Sequence, residues 1–290
     1  MITTSLSVIT PTYNCGEYIT RSYRNICQQT YKNWEWIIVN DGSTDDTCSL
    51  INQIAKRDDR VKVHHFTANK GRGAARQAAI NMSNTNMIVV WDVDDLYDSN
   101  RLSLIFNSLI VNKFDFFCSY ALVVTNDFKI KGGRHFYHDV INSPSFVHPT
   151  LAFNKANILM ESYYDDKMKA GEDYGLMMKL DDEYNGEYCN EYLMLYFEDR
   201  EVNIGKTISA HQSHYRSFKL YLNNSNLPQS KKYFQLLKMK IKGIILKSLF
   251  LFPKLYLKTV KFRNSELVDI GKIGTSLLNL AYDKENKILK

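Results

Sequence analysis

The chain has 290 residues, 44% of them hydrophobic and 23% charged, with a net charge of +6, which is enough apolar material for a full core and excludes a disordered or disulfide-framed chain. Its five cysteines (Cys15, Cys27, Cys48, Cys118, Cys189) are odd in number, widely spaced and without a CxxC pair, so reduced thiols are expected, not a zinc site or a disulfide framework. No run of 18 uncharged apolar residues occurs, which excludes an ordinary transmembrane helix, and Met1 to Ser5 lack the basic-then-apolar pattern of a secretory signal.

Leu6-Ser7-Val8-Ile9-Thr10 is a β-prone run that Pro11 stops, followed by the turn-rich Thr12-Tyr13-Asn14. Residues 17–29 carry Tyr18, Ile19 and Ile26 at helical spacing, with Asn14 as the expected cap. A second strand is expected over 34–40, and Asp41-Gly42-Ser43-Thr44-Asp45-Asp46 then turns into a helix that runs to about Lys56. Val61-Lys62-Val63-His64-His65 alternates as a third strand, and Asn69-Lys70-Gly71-Arg72-Gly73 leads into an Ala-rich helix over 74–82. Met87-Ile88-Val89-Val90-Trp91 is an apolar run of the kind buried on both faces of a parallel sheet, and it ends in Asp92-Val93-Asp94-Asp95. If that run stays extended, Asp92 and Asp94 point the same way roughly 7 Å apart and can converge on one hard cation.

This βαβαβαβ alternation predicts an α/β fold with a Rossmann-like, mostly parallel central sheet flanked by helices, whose ligand sits beyond the carboxyl ends of the strands. Four loops would share that rim. They offer a kinked backbone with an aromatic ring (11–14), a carboxylate able to accept a base's imide N–H (41–46), backbone amides at a helix start with Arg76 nearby (69–73), and a metal-binding acidic run (92–95). Together they suit a nucleoside diphosphate.

In this order, Ser7-Val8-Ile9-Thr10-Pro11-Thr12-Tyr13-Asn14, Val39-Asn40-Asp41-Gly42-Ser43-Thr44-Asp45, Asn69-Lys70-Gly71-Arg72-Gly73-Ala74-Ala75-Arg76 and Asp92-Val93-Asp94-Asp95 resemble the motifs of family 2 glycosyltransferases over roughly residues 5–200. The resemblance implies the glycosyltransferase A fold, a nucleotide-sugar donor with Mn2+ or Mg2+, and inversion at the anomeric carbon. It implies that Pro11, Thr12 and Tyr13 cradle a uridine, that Asp41 reads the uracil edge, and that Arg76, Asp92 and Val93 lie at the nucleotide. Asp94 would ligate the metal, with Asp92 contacting the ribose or assisting the metal and Asp95 a candidate second ligand. Gln77 stands where the family usually has Asn.

After the acidic loop, residues 99–112 read as an amphipathic helix (Leu102, Ile105, Phe106, Leu109, Ile110) capped by Ser99. Strands are expected over 116–119, 121–125 and 151–153. The polar 126–146 between them, with Gly132-Gly133, is the least regular part and is expected to shape the acceptor side. His148 is a structural hydrogen-bonder or an acceptor contact. Ala170-Gly171-Glu172-Asp173-Tyr174 opens another helix, and the acids there suit its dipole without any further role. By resemblance they are the Glu-Asp motif, with Asp173 the general base and Glu172 supporting it. A late strand covers 191–196. Arg200 to Ser209 is similar to a segment often seen after it, with Asn203 where His is common and His211 or His214 as conceivable substitutes.

Between Val202 and Ser265 there is no Asp or Glu but 13 Lys or Arg; with +6 overall, the rest of the chain carries about −7. From Lys231 to Arg263 lysines alternate with apolar residues, and Leu237, Ile241, Ile244, Ile245, Leu249 and Phe252 share one helical face. Either that face packs on the domain or it lies on an anionic membrane surface; no nucleic-acid signature accompanies the charge. The expected layout is a catalytic domain over 1–225 and a basic helical extension over 226–290. The expected function is transfer of one hexosyl or N-acetylhexosaminyl unit from a UDP-sugar to a saccharide acceptor, lipid-linked, in cell-surface polysaccharide or lipopolysaccharide synthesis on the cytoplasmic face of the plasma membrane. The competing readings are a nucleotidyltransferase and a nucleotide-sugar-binding protein without activity.

Overall fold

The computed structural model describes residues 5–136, 145–165, 171–198, 204–224 and 228–249, and beyond them 251, 252, 254, 268–274, 276, 277 and 279. Its first half follows the expected alternation: β1 (Leu6–Thr12), α1 (Gly16–Cys27), β2 (Trp34–Asn40), α2 (Thr47–Ala55), β3 (Val61–His65), α3 (Arg72–Met82) and β4 (Met87–Val90). β1 pairs with β2 on one side and β4 on the other, and β3 lies outside β2, all parallel. The chain therefore winds outward from β1 to β3 and returns to β4. The loops after β1 and β4 flank the point where strand order reverses, where open α/β sheets hold their ligands.

Burial explains why these segments are strands. All seven residues of β2 and all four of β4 are buried. Leu6, Val8, Trp36, Ile38 and Val89 face one core cluster, and Ile9, Ile37, Val39, Ile88 and Val90 face the other, so alternate side chains fill both layers. Each contributes on the order of 1.5–3 kcal/mol. Buried polar groups tie the strands together: Trp36 Nε1 donates to Thr10 Oγ1 at 2.8 Å, and that hydroxyl donates to the Trp91 carbonyl at 2.7 Å.

Beyond β4 come β5 (Leu96–Tyr97), α4 (Arg101–Phe106), β6 (Phe116–Val124), β7 (Ile130–Arg134), β8 (Ala152–Asn154), α5 (Tyr174–Glu183), β9 (Gly186–Phe197), α6 (Ile204–Asn224) and α7 (Gln229–Leu249). The sheet continues β4-β8-β6-β9-β5, with β7 beside β6. Here it is mixed: β8 is antiparallel to both β4 and β6, while β6 and β9 are parallel.

Several expectations change in this half. Residues 116–124 form one strand, with the irregularity around Tyr120 absorbed as register shifts against β9. The Gly132-Gly133 pair lies within β7, where a β-carbon on Gly133 would stand 2.7 Å from the Tyr192 hydroxyl; the glycine permits a close approach that its sequence signal suggested was a loop. Residues 137–144 of the same stretch lie outside the described residues. The helix expected from 99 begins at Arg101 with Asn100 at the N-cap position, and the Ser99 amide instead donates to Ser276 Oγ at 3.0 Å. α1 is preceded by Cys15, not capped by Asn14. Asn14 takes a positive φ of 47° and its side chain accepts from the Thr44 amide at 2.8 Å.

The C-terminal helices join the body in sequence. Met178 of α5, Phe218 and Leu222 of α6 and Met239 of α7 form one small cluster. Residues 268–274, 276 and 277 return to the far sheet edge, where Ile273 bridges to Tyr192 and packs with Leu277 against Leu96, Leu122 and Leu195. Ser276 Oγ donates to Asp98 there.

Candidate active site

Three of the rim loops, 11–14, 41–46 and 69–73, are bound to one another by side-chain hydrogen bonds to backbone. Asp41, at the end of β2, is buried and accepts from the Lys70 amide at 2.6 Å and the Gly71 amide at 2.9 Å. The Asp45 carboxylate accepts from the amides of Gly16 and Thr47, both at 3.1 Å, and so caps the start of α1 and α2 together. Thr12 is buried with its hydroxyl on the Val39 carbonyl, whereas Tyr13 is 48% exposed and stands at the rim above it. Pro11 is half-buried within β1. Gly42, at φ 71°, lets this loop touch the next: a β-carbon there would lie 2.7 Å from the Ala68 carbonyl carbon.

The acidic run departs from the extended geometry expected of it. β4 ends at Val90, and Asp92 to Asp95 form a turn with the Asp95 amide donating to the Asp92 carbonyl at 3.4 Å. The turn sends the three acids in different directions. Both Asp92 oxygens accept from Arg76 Nη2, at 2.8 and 3.1 Å. Asp94 is half-exposed, and its carbonyl accepts from Arg21 Nη2 at 2.7 Å. Asp95 is buried and accepts from the Phe197 amide at 3.1 Å; burial, then the neighbouring Asp94 and Asp92 charges, pushes its carboxyl well above the usual range. Val93 is buried in a core cluster.

Arg76 is the hub. It is almost fully buried; Nη2 holds Asp92, and Nη1 donates to Glu172 Oε1 at 2.9 Å across 96 residues of chain. Glu172 also lies 3.4 Å from the exposed Arg72. Gly73 makes this contact possible, because a β-carbon there would stand 3.0 Å from the Asp165 carbonyl oxygen and 3.2 Å from Glu172 Cβ. Burial alone would raise the Asp92 carboxyl, but the Arg76 guanidinium, through its charge and its hydrogen bonds, outweighs it and holds the group below its ordinary value.

Asp173 follows Glu172 at the N-cap position of α5. Burial, then the Glu172 charge, raises its carboxyl from 3.8 to about 6, with Arg76 and Arg72 opposing. His148 is buried, its Nε2 2.9 Å from the Tyr164 hydroxyl; burial and then Arg76 push its imidazole well below the usual range, so the ring is neutral. Arg76 Nε and His148 Nδ1 are buried with no hydrogen-bond partner among the described residues, and orphaned polar atoms of this kind are satisfied by a bound ligand or ordered water.

The structure thus gathers Arg76, Asp92, Glu172, Asp173 and His148 around one ion network, with Asp94 and Tyr13 at its rim and Asp41 organising the loop that opens α3. It places Val93 in the core. Sequence reasoning missed Tyr164, which meets the His148 ring edge-on and lies under Arg76, and Arg21, which holds the Asp94 carbonyl. It also missed Arg101, buried against Tyr97 and donating to the Val90 and Pro149 carbonyls. A lone Arg on a helix or Tyr in a loop carries no signal for such roles. Of the later candidates, His211 pairs with the Met239 carbonyl and His214 packs on Tyr174, both on α6; Arg200 and Asn203 lie outside the described residues.

Among the described residues no three His, Cys, Asp or Glu gather closely enough to bind a metal alone. The half-exposed Asp94 carboxylate nevertheless suits a hard divalent cation whose remaining ligands are phosphate oxygens.

A doubly wound sheet with an acidic, arginine-bridged rim at its switch point defines a fold like that of the glycosyltransferase A enzymes. The solved structure of S. aureus TarS 1-349 in complex with UDP-GlcNAc superposes with a TM-score of 0.63 at 21% identity, covering 81% of this chain and 71% of that one. The mannosyltransferase PcManGT from Pyrobaculum calidifontis, solved with GDP-Man and Mn2+, superposes with a TM-score of 0.61 at 16% identity, covering 97% and 88%. The sequence profile described as Glycosyl transferase family 2 matches residues 7–160, more than half of the chain. The chain belongs to glycosyltransferase family 2. One relative is the UDP-Glc:alpha-D-GlcNAc-diphosphoundecaprenol beta-1,3-glucosyltransferase WfgD of Escherichia coli, 28% identical over 122 residues, covering 42% of this chain and 47% of WfgD. Other curated relatives are matched over as little as 26% and 38% of their length. No helix among the described residues is long and apolar enough to cross a membrane.

Proposed function

We propose that this glycosyltransferase moves a single sugar from a UDP-sugar to a saccharide acceptor with inversion, and that Asp173 is its base. The observation that carries the reading is the Asp92–Arg76–Glu172 bridge with Asp173 beside it, which links the nucleotide-side acid to the acceptor-side acid in one rigid unit. The UDP-GlcNAc held by TarS and the UDP-Glc in the name of WfgD support a UDP-sugar donor.

In this mechanism Pro11, Thr12 and Tyr13 flank the uridine, and Asp41 keeps the Lys70–Gly71 loop in place while presenting its remaining lone pairs to the uracil imide. Val93 contributes backbone only, since its side chain is buried. The acceptor oxygen attacks the anomeric carbon as the bond to the diphosphate oxygen breaks; the electron pair leaves with UDP and the hydroxyl proton passes to Asp173. A carboxyl held near 6 is ionised at neutral pH yet more basic than an ordinary aspartate, which suits proton abstraction. Glu172 accepts from Arg76 and so holds that guanidinium away from Asp173. Mn2+ or Mg2+ held by Asp94, with Asp92 at its side, would offset the charge on the departing diphosphate; the Mn2+ bound by PcManGT supports this.

The acceptor is a lipid-linked saccharide of the kind named for WfgD, in cell-surface polysaccharide synthesis, and the enzyme works on the cytoplasmic face of the plasma membrane. Residues 1–225 form the catalytic unit and 226–290 the extension. His148, buried as it is, reaches the acceptor side through Tyr164. The test is UDP release from a panel of UDP-sugars with and without Mn2+, compared with Asp173→Asn. Release that needs Asp173 and the cation supports the reading. A folded wild-type protein that binds UDP-sugars but never releases UDP, even with acceptor saccharides, would leave a binding protein instead.

A further inference from the structure

Helix α7 has two apolar stripes where packing uses one. Its inner stripe, centred on the fully buried Met239, closes against Phe218 and Leu222 of α6. Its outer stripe comprises Phe234, Leu237, Ile241, Ile244 and Ile245, with exposures between 39% and 63%. These residues recur at spacings of three and four, so they form one continuous ridge. Leu251 and Phe252, 73% and 62% exposed, extend it past the helix end. A ridge of this size on a protein surface marks an interaction site.

The charge beside the ridge selects the partner. Exposed Lys231, Lys238, Lys240 and Lys247 flank it, and neither α6 nor α7 contains an acid. Lys238 lies over the Phe234 ring with its ammonium 4.7 Å from the centroid, the posture of a chain whose stem covers apolar surface while its head reaches for water or phosphate. A polynucleotide would use the lysines and leave the ridge uncovered. An interface of anionic headgroups over hydrocarbon uses both. A groove of about 380 Å³ between α6 and α7, lined by Ile208, Tyr215, Met239 and Ile244, opens alongside the ridge and carries the apolar surface inward. Gly243 lets α7 pass close to α6 beside it, because a β-carbon there would stand 2.8 Å from His211 Nε2.

We propose that the outer face of α7 docks on an anionic bilayer, with the ridge in the interface and the lysines on headgroup phosphates. The purpose of docking rests on the lipid-linked acceptor argued above; the binding itself does not. The experiment uses the full chain, without donor or acceptor, in co-sedimentation with phosphatidylglycerol–phosphatidylcholine vesicles and with phosphatidylcholine vesicles alone. The wild type is expected to bind the anionic vesicles and to be released by salt. Lys238→Gln/Lys240→Gln/Lys247→Gln should weaken that binding about 100-fold, at roughly 5-fold per lysine. Leu237→Gln/Ile241→Gln/Ile244→Gln, at exposed positions that leave the fold intact, should abolish it.

Wild-type protein that stays in solution with anionic vesicles overturns the proposal, as does a ridge variant that binds normally. A ridge variant whose only change is loss of a dimer in light scattering also overturns it, in favour of a second copy of the chain. UDP release from soluble donor, measured in parallel without vesicles, should be equal in all three proteins. Failed docking with intact release removes the surface alone, and absent release removes the transferase reading alone.

Discussion

Replacing Asp173 by Asn should make the protein more stable and, at the same time, inactive. Asn keeps the size of the side chain and can still serve at the N-cap of α5, so what changes is the charge. In the fold the Asp173 carboxyl titrates at about 6 instead of 3.8, because burial and then Glu172 disfavour its anion. The native state therefore holds a proton that the unfolded chain has already lost, and stability falls as pH rises from about 4 to about 6. The displacement from 3.8 to about 6 corresponds to about 3 kcal/mol. The variant avoids that penalty, so its advantage should be absent below pH 4 and reach about 3 kcal/mol at pH 8. With an unfolding entropy of about 0.6 kcal/mol/K for a chain of this length, Tm should rise by about 5 °C. The assay is thermal unfolding at pH 4 and pH 8 in the presence of chelator, beside UDP release at pH 8, where loss of a general base should lower turnover by 10²–10⁴-fold. Equal Tm values at pH 8, or a less stable variant, would refute the claim that the fold holds this acid against its preference.

Glu172→Gln removes the like charge next to Asp173, so the acidic limb of the pH profile of kcat/KM should move below 6; a limb that stays put would separate the two acids. Gly73→Ala forces a β-carbon to within 3.2 Å of Glu172 Cβ and 3.0 Å of the Asp165 carbonyl. It should cost about 1 kcal/mol of stability and about 10-fold in turnover, and unchanged kinetics would show that the spacing of α3 and the 172–173 pair is not critical. Leu277→Ala, in the segment packed on Leu96, Leu122 and Leu195, should cost about 3 kcal/mol, read as a lower denaturation midpoint. No change there would mean that Ile273 and Leu277 do not hold the sheet edge. Because that segment covers a core cluster, deleting everything beyond α6 would disturb more than α7.

The limits of the sequence are clearest at the acidic run. Apolar run and acids were legible, but the expectation that Asp92 and Asp94 share a side assumed that the strand continues. It stops at Val90, and a turn divides the acids between Arg76, the cleft and the Phe197 amide. Likewise Arg76 was expected near a nucleotide; that it clamps Asp92 to Glu172 could not be read from a helix whose other end of the contact lies 96 residues away. The apolar face of α7 was visible as a periodicity, whereas its outward orientation depended on Met239, on the opposite side, being the residue that α6 accepts.

Local chemistry determined the first half: strand 34–40 and strand 61–65 fall where alternation and burial required them, and the loops after them carry the turn residues that end a strand. These signals operate within about ten residues and survive without a partner. Tertiary structure decided the antiparallel insertion of β8 between β4 and β6, the return of Ile273 and Leu277 to the sheet edge, and the union of the two acid motifs through one buried guanidinium. Those outcomes depend on which distant surfaces can exclude water from each other and satisfy a buried charge, a choice settled only when the whole chain closes.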